Sequence, residues 1–387
     1  MSQAWSSAAI RVGRAHLPAL LASGCLALYY ALSMSRDLSL YDSGELALAA
    51  QQLGLGHPPG QPLHTLLGYL LSQLTPGAPL IGINLASTLP AALCVLPATR
   101  VAAALAGPRA SHAARRFLPW LCLPVGLHAS VWEPATRVGV YALATFCGLC
   151  AAASALPLLA AEPAAPARAS RAAWQTGLLL GLCASANPGI ALALGVALGP
   201  GLLMTRSLPL LLRVGTGGVL GLTPYLYLAF AAARSGKVVV WGGLTDSTSL
   251  LRYLTMGDYA HNAGISALGL ADHALAWWLW ALGQLLVPSL IFGLGGFVRG
   301  FRWVRLGYLV FLIAFAMALY TVSRNRVWDL QVPDYNGYLG VVYWLAAAGG
   351  VAHVERPDAV RILVVEDGER RSIGARRRGR RQAGRGA

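Results

Sequence analysis

The chain has 387 residues, of which 56% are hydrophobic and 12% charged, with a formal net charge of +15. A soluble domain carries roughly 25% charged residues, so a water-soluble fold, a disordered chain and a small disulfide scaffold are all excluded. An all-α polytopic membrane protein is what remains.

A membrane helix needs about 20 mainly apolar residues. In chain order, such runs lie at 17–34, 80–106, 117–131, 138–160, 172–187, 189–205, 208–232, 273–297, 304–322 and 337–353. About ten transmembrane helices are therefore expected. The first run lacks a small-x-small cleavage site and polar chain resumes directly after it, so it reads as a span rather than a removable signal. Residues 172–205 could form one long helix, but Asn187-Pro188-Gly189 interrupts them. The cysteines (Cys25, Cys94, Cys122, Cys147, Cys150 and Cys183) all fall inside apolar runs. Cys147-Gly-Leu-Cys150 has the spacing of a redox motif, but no βαβ pattern surrounds it. It reads as membrane-buried small residues.

Orientation follows from arginine. Arg11 and Arg14, then Arg109, Arg115 and Arg116, then Arg168 and Arg171, then Arg206 and Arg213, then Arg299, Arg302 and Arg305 fall on one side if all ten runs span. That side is cytoplasmic, with both termini. Ten arginines follow Glu355. Residues 1–354 read as one transmembrane domain and 355–387 as a disordered, basic cytoplasmic tail. Beside membrane spans such a tail faces anionic lipid rather than nucleic acid.

The acids then sort to the other side. Of the ten before residue 355, only Glu162 falls inside. The outer segments are 35–79, a tight turn WEPATR at 132–137, a large loop at 233–272, and 323–336. The polar chemistry is therefore expected to be extracytoplasmic.

Residues 42–55, DSGELALAAQQLGL, carry Leu46, Ala49, Ala50 and Leu53 at helical spacing. The segment is too short to span and is expected to lie along the membrane surface. Asp42 or Ser43 suits its N-cap, and Asp42 and Glu45 share a face. His57-Pro58-Pro59-Gly60 then makes a rigid corner near this acidic helix. Taken singly, Asp42 is a cap, Glu45 offsets the helix dipole and His57 is a loop histidine. Their joint position just outside the first span, in a chain so poor in acids, argues for a site.

DSGE, LGLGHPPGQPLHTLLG, INLASTL and VWEPATRVGVYALATF resemble a bacterial multi-pass family similar to the protein O-mannosyltransferases, within the GT-C glycosyltransferases. The likeness extends to Trp241-Gly242 and, more loosely, to the Asp-containing stretch before the last span. One departure stands out. The family's Glu-Val-Tyr is Gly139-Val140-Tyr141 here, so an acid is missing. The resemblance implies a GT-C-like bundle with amphipathic helices in the first outer loop. It implies a polyprenyl-phosphate sugar as donor, a mannose-like hexose as the sugar and an extracytoplasmic site in the bacterial inner membrane. The acceptor is a protein, a lipid or a glycan. It makes Asp42 catalytic, with Glu45 beside it, and His57, Tyr141 and Trp241 substrate contacts.

Chemistry agrees with this assignment. Attack by an acceptor hydroxyl needs a base within reach, and a phosphate leaving group needs cations rather than an acid. Arg137, Arg324 and Arg326 are the outer arginines near membrane ends. Asp42, Glu45 and His57 could also form a mixed oxygen and nitrogen metal site; the family analogy favours a metal-independent reaction with no cofactor. Two other readings stay open. A transporter or flippase would keep ionisable groups at mid-span, where this chain has almost none. A non-catalytic scaffold is compatible with the missing acid.

Overall fold

The structure is a computed structural model that describes residues 2–39, 41–106, 112–159, 164–233, 241, 244–257, 340–341 and 343–345. Every regular element among the described residues is a helix. Helix α1 (Ser2–Ser33) buries Ala22, Leu26 and Tyr30 and exposes Leu17, Leu21, Leu28 and Leu32. One apolar face meets the bundle and the other is left for lipid. The Tyr30 hydroxyl donates to the Gly126 carbonyl at 2.7 Å, so the buried phenol has its partner.

Two short helices follow α1: α2 (Ser43–Gln52) and α3 (Pro62–Gln73). Then come α4 (Pro79–Leu93) and α5 (Val95–Ala106), which make one long apolar rod. The expected stripe of α2 is buried at Leu46, Ala49 and Ala50. It packs onto α3 and α4 rather than only resting on lipid. Gly68 permits that approach. A Cβ there would stand 3.1 Å from Ala50 Cβ and 3.3 Å from Ile83 Cγ2.

The run expected at 117–131 is not one helix. It divides into α6 (His112–Leu121), α7 (Leu123–Gly126) and the start of α8 (Ala129–Thr136). Pro119 and Pro124 each remove a backbone donor there, which breaks the ladder. The turn expected at 132–137 is also corrected. WEPAT completes α8, and Arg137 is the first residue after it. Buried Val131 and Ala135 hold that helix against the bundle. Thr88 Oγ1 also donates to the Ala135 carbonyl at 2.9 Å.

Helix α9 (Tyr141–Leu159) is a full apolar span. Asn187 separates α10 (Pro166–Ala186) from α11 (Pro188–Leu203), as the Asn-Pro-Gly sequence implies. Its Oδ1 caps α11 by accepting from the Ile190 N–H at 3.1 Å. Helix α10 meets α12 (Leu208–Gly221) through facing glycines. A Cβ at Gly177 would lie 2.0 Å from the Val214 carbonyl oxygen. At Gly181 it would lie 2.2 Å from that of Gly218, and at Gly221 2.2 Å from that of Leu178. Both helices carry the small-xxx-small spacing that lets membrane helices touch backbone to backbone.

A 3₁₀ turn at Thr223–Tyr225 leads into α13 (Leu226–Ala233), and α14 (Ser247–Leu254) follows. Among the described residues, four stretches are long and apolar enough to cross a membrane: His16–Ser33, Pro79–Ala104, Tyr141–Leu159 and Leu208–Ala233. Of the tenth expected run, Val341, Tyr343, Trp344 and Leu345 are helical and buried in the core. The eighth and ninth runs, the segment 323–336 and the basic tail lie outside the described residues.

Candidate active site

The site is built on a reversal of the chain after α2. Leu53 takes φ +52°, and Gly54 N–H returns to the Ala49 carbonyl at 2.9 Å, which closes the helix with a left-handed cap. Residues 54–57 then run back along α2, so His57 meets the first turn of the helix rather than its last. Three successive carbonyls hold this return strand. Gly54 accepts from the Tyr227 hydroxyl at 2.8 Å. Leu55 accepts from the Trp241 N–H at 3.2 Å. Gly56 accepts from the Tyr253 hydroxyl at 2.6 Å.

His57 sits between the two acids. Its backbone N–H donates to Glu45 Oε1, and its Nδ1 lies 3.4 Å from Glu45 Oε2. Its Nε2 lies 3.7 Å from Asp42 Oδ2. The Asp42 side chain is 45% exposed and that of Glu45 25%, so Asp42 is the acid an external group reaches first. Asp42 stands at the N-cap position, yet its side chain accepts no cap hydrogen bond. Asp246 shows the contrast. It caps α14 by accepting from the Ser249 N–H at 2.7 Å, and that bond holds its carboxyl below the usual range.

The corner after His57 is tight. The Gly60 N–H returns to the His57 carbonyl at 2.8 Å, and the Pro58-Pro59 bond is cis. Gly60 has φ +87°, and a Cβ there would stand 2.6 Å from the Tyr253 hydroxyl, so both conformation and space require glycine. Gln61 follows with φ +38°, buried, its Nε2 at 3.4 Å from His57 Nε2. One turn on, His64 is fully buried and neither ring nitrogen has a hydrogen-bond partner. Burial lowers its pKa to about 4.

Arg137 is brought to the same region by a second clamp. Ser43 Oγ donates to the Val138 carbonyl at 2.8 Å, which joins the residue after Asp42 to the residue after Arg137. Ser87 Oγ donates to the Gly139 carbonyl at 2.8 Å, and the Ser35 N–H to that of Thr136 at 2.7 Å. Arg137 is only 6% exposed, so it is not an ordinary loop charge.

The structure therefore unites Asp42, Glu45 and His57, ties Arg137 to them through Ser43, and ties Trp241 to them through Leu55. Tyr141 is placed differently. It is buried at the start of α9 and lines a small, partly open pocket with Cys94, Thr145 and Trp344. Arg324 and Arg326 lie outside the described residues. Gln61, Tyr227 and Tyr253 are site-building residues that sequence reasoning did not single out. A run of Gly-Gln-Pro and two tyrosines in distant helices carry no chemical motif. Among the described residues, no group of three His, Cys, Asp or Glu is arranged to hold a metal ion. Asp42 and Glu45 face opposite nitrogens of one ring, so the three do not point at one centre.

Comparison with known proteins matches this region. Residues 42–207 fit the family model "Protein O-mannosyl-transferase TMEM260 N-terminal domain", a match that begins at Asp42. Over these residues the chain is similar to that family. It is 44% identical over 72 residues to the protein O-mannosyl-transferase TMEM260 of Mus musculus, covering 19% of this chain and 9% of that protein. It is 45% identical over 47 residues to the tmem260 protein of Dictyostelium discoideum, covering 12% and 6%. These alignments span less than a tenth of each relative's length. The fold resembles that of ArnT. Against apo ArnT from Cupriavidus metallidurans the TM-score is 0.58 at 16% identity, over 87% of this chain and 59% of that one. Against ArnT bound to undecaprenyl phosphate it is 0.54 at 17% identity, over 86% and 59%.

Proposed function

We propose that this O-mannosyltransferase-like chain is a membrane glycosyltransferase. It moves a sugar, in our reading a mannose-like hexose, from a polyprenyl-phosphate carrier to an acceptor hydroxyl on the outer side of a bacterial inner membrane. The acceptor is a hydroxyl of a protein, a lipid or a glycan. The observation that carries this reading is the state of Asp42. Its carboxylate is half-exposed, unused as a helix cap, and set against an imidazole whose far side faces Glu45. A base in that position can take the acceptor's proton as its oxygen attacks the anomeric carbon. The carbon–oxygen bond to the phosphate then breaks, and the phosphate leaves with the electron pair. Arg137 supplies positive charge for that leaving group. Trp241 offers an apolar ring face at the rim, 44% exposed.

The names of the relatives and the ArnT-bound undecaprenyl phosphate support the same donor chemistry. No metal step is invoked. The test uses membranes with and without the protein, supplied with labelled polyprenyl-phosphate mannose and then with other polyprenyl-phosphate hexoses. Protein-dependent transfer of label to an acceptor is expected. No transfer from any of these donors would overturn the reading.

A further inference from the structure

We propose that Tyr41 is a specificity-determining residue whose ring stacks on the hexose of the lipid-linked donor beside Asp42. This rests on the transferase reading of Asp42. The first observation is the backbone. Tyr41 has φ +66°, in the left-handed region that glycine and asparagine adopt readily and tyrosine does not. Among the described residues, four other non-glycine positions have positive φ: Leu53, Gln61, Arg206 and Met256. Leu53, Arg206 and Met256 follow the ends of α2, α11 and α14, where a left-handed residue closes a helix. Gln61 is buried at the start of α3. Tyr41 closes no helix, and it is 55% exposed. Among the described residues its hydroxyl makes no hydrogen bond and its ring meets no other ring.

The chain just after Tyr41 is held from both sides. The Leu46 N–H donates to the Asp42 carbonyl at 2.9 Å, and Ser43 Oγ donates to the Val138 carbonyl at 2.8 Å. The surroundings thus impose the left-handed turn, and the sequence fills it with a residue unsuited to it. Asparagine would relieve the backbone and break no polar contact. A local choice that opposes the fold in this way marks a residue kept for a site. The ring's chemistry says what it meets. Tyr41 and Asp42 are consecutive, so a group at the Asp42 carboxylate stands within reach of the Tyr41 side chain. In the proposed reaction that group is the anomeric carbon of the donor hexose. A hexose face presents C–H groups of slight positive charge, which suit the negative face of an aromatic ring. Stacking also takes the exposed ring out of water.

The test separates the ring from the backbone. Full-length native, Tyr41→Phe, Tyr41→Ala and Tyr41→Asn proteins are compared in one detergent. The measurements are melting temperature and equilibrium binding of two labelled lipids, polyprenyl-phosphate mannose and sugar-free polyprenyl phosphate. Tyr41→Phe keeps the ring and should bind the mannosyl lipid within about twofold of native. Tyr41→Ala and Tyr41→Asn remove the ring and should bind it roughly five- to thirtyfold more weakly. Binding of the sugar-free lipid should not change in any variant. Melting should follow another order. Tyr41→Asn should melt above Tyr41→Ala, because asparagine tolerates the left-handed backbone, and Tyr41→Phe should match native. In transfer assays the Ala and Asn losses should appear in KM for the donor rather than in kcat.

Equal binding of the mannosyl lipid by native and Tyr41→Ala proteins would overturn the assignment and leave the transferase reading standing. Weaker binding of both lipids would also overturn it, making Tyr41 a carrier contact or an interfacial anchor. So would a drop in melting temperature shared by Tyr41→Ala and Tyr41→Asn, the mark of a structural ring. A native protein that binds no mannosyl lipid would overturn the donor of the transferase reading, and the Tyr41 assignment with it.

Discussion

Ser43 Oγ donates to the Val138 carbonyl at 2.8 Å across 95 residues of chain. The bond is buried, and it joins the turn that carries Asp42 to the segment that carries Arg137. Ser43→Ala leaves that carbonyl without its donor, which costs about 1–3 kcal/mol. We expect a lower melting temperature in detergent and reduced transfer, although no charged residue is altered. Ser43→Thr restores the hydroxyl and should recover part of both. Unchanged melting and transfer in Ser43→Ala would mean the two segments hold together without this bond.

Arg137 sits at the end of α8 and is buried among the clamp residues. In the proposed reaction it meets the departing phosphate. Arg137→Ala should weaken use of the phosphate-linked donor by roughly ten- to hundredfold, the scale of one charge-assisted contact. Lysine returns the charge without the fork, so Arg137→Lys should recover only part. Normal kcat/KM in Arg137→Ala would remove this role.

The parts of this protein that follow from apolar periodicity and charge are legible in the sequence. The spans at 17–34, 80–106, 138–160 and 208–232 have helical counterparts, and Asn187-Pro188-Gly189 does divide two helices. Asp42 and Glu45 share a helix face because they are three residues apart. What periodicity cannot give is the reversal after Leu53. That reversal depends on a left-handed cap and on Tyr227, Trp241 and Tyr253, which lie 173 to 197 residues from the carbonyls they hold. The α6–α8 region misleads for a related reason. Its composition reads as a span, but prolines divide it and long-range contacts settle where α8 stops.

His64 makes the segment around α3 sensitive to acid. Burial lowers its pKa from 6.5 to about 4. Above pH 6.5 the ring is neutral whether folded or unfolded, and it contributes no pH dependence. Between pH 6.5 and 4 the unfolded chain binds a proton that the folded chain refuses, so stability falls as pH falls. The loss levels off below pH 4 at about 3 kcal/mol. Melting temperatures measured from pH 7 to pH 4 should show it. His64→Leu should flatten that part of the profile. An unchanged profile in His64→Leu would assign the acid sensitivity elsewhere.

The glycine contact between α10 and α12 predicts a contrast between two glycines of this helix pair. Gly181→Val places side-chain atoms against the Gly218 carbonyl and the Gly221 backbone, which cannot retreat without parting the helices. The cost should be at least about 1–3 kcal/mol. Gly215, in the partner helix α12, has nothing within 4 Å of a Cβ. Gly215→Ala should therefore be neutral or stabilise by up to about 1 kcal/mol through helix propensity. Thermal unfolding in one detergent compares them. Equal effects would mean the close contact is not what holds the pair.

Asp42→Asn is the substitution on which the proposed reaction depends. Asparagine keeps the size of aspartate and caps a helix about as well. The Asp42 side chain makes no cap hydrogen bond in any case, so helix α2 has little to lose. Folding and membrane insertion should survive. Transfer should fall by roughly two to four orders of magnitude, the scale of losing a general base. Glu45→Gln separates two roles for the second acid. If Glu45 only holds the His57 ring, the loss should be smaller, and diethyl pyrocarbonate should report an altered ring. If the acids instead share a metal ion, Glu45→Gln should cost as much as Asp42→Asn, and a chelator should abolish transfer by the native protein. A purely structural Asp42 gives a different pattern: Asp42→Asn is silent, and even Asp42→Ala costs at most about 1 kcal/mol of stability. Normal transfer by a stably inserted Asp42→Asn protein would end the assignment of Asp42 as the base.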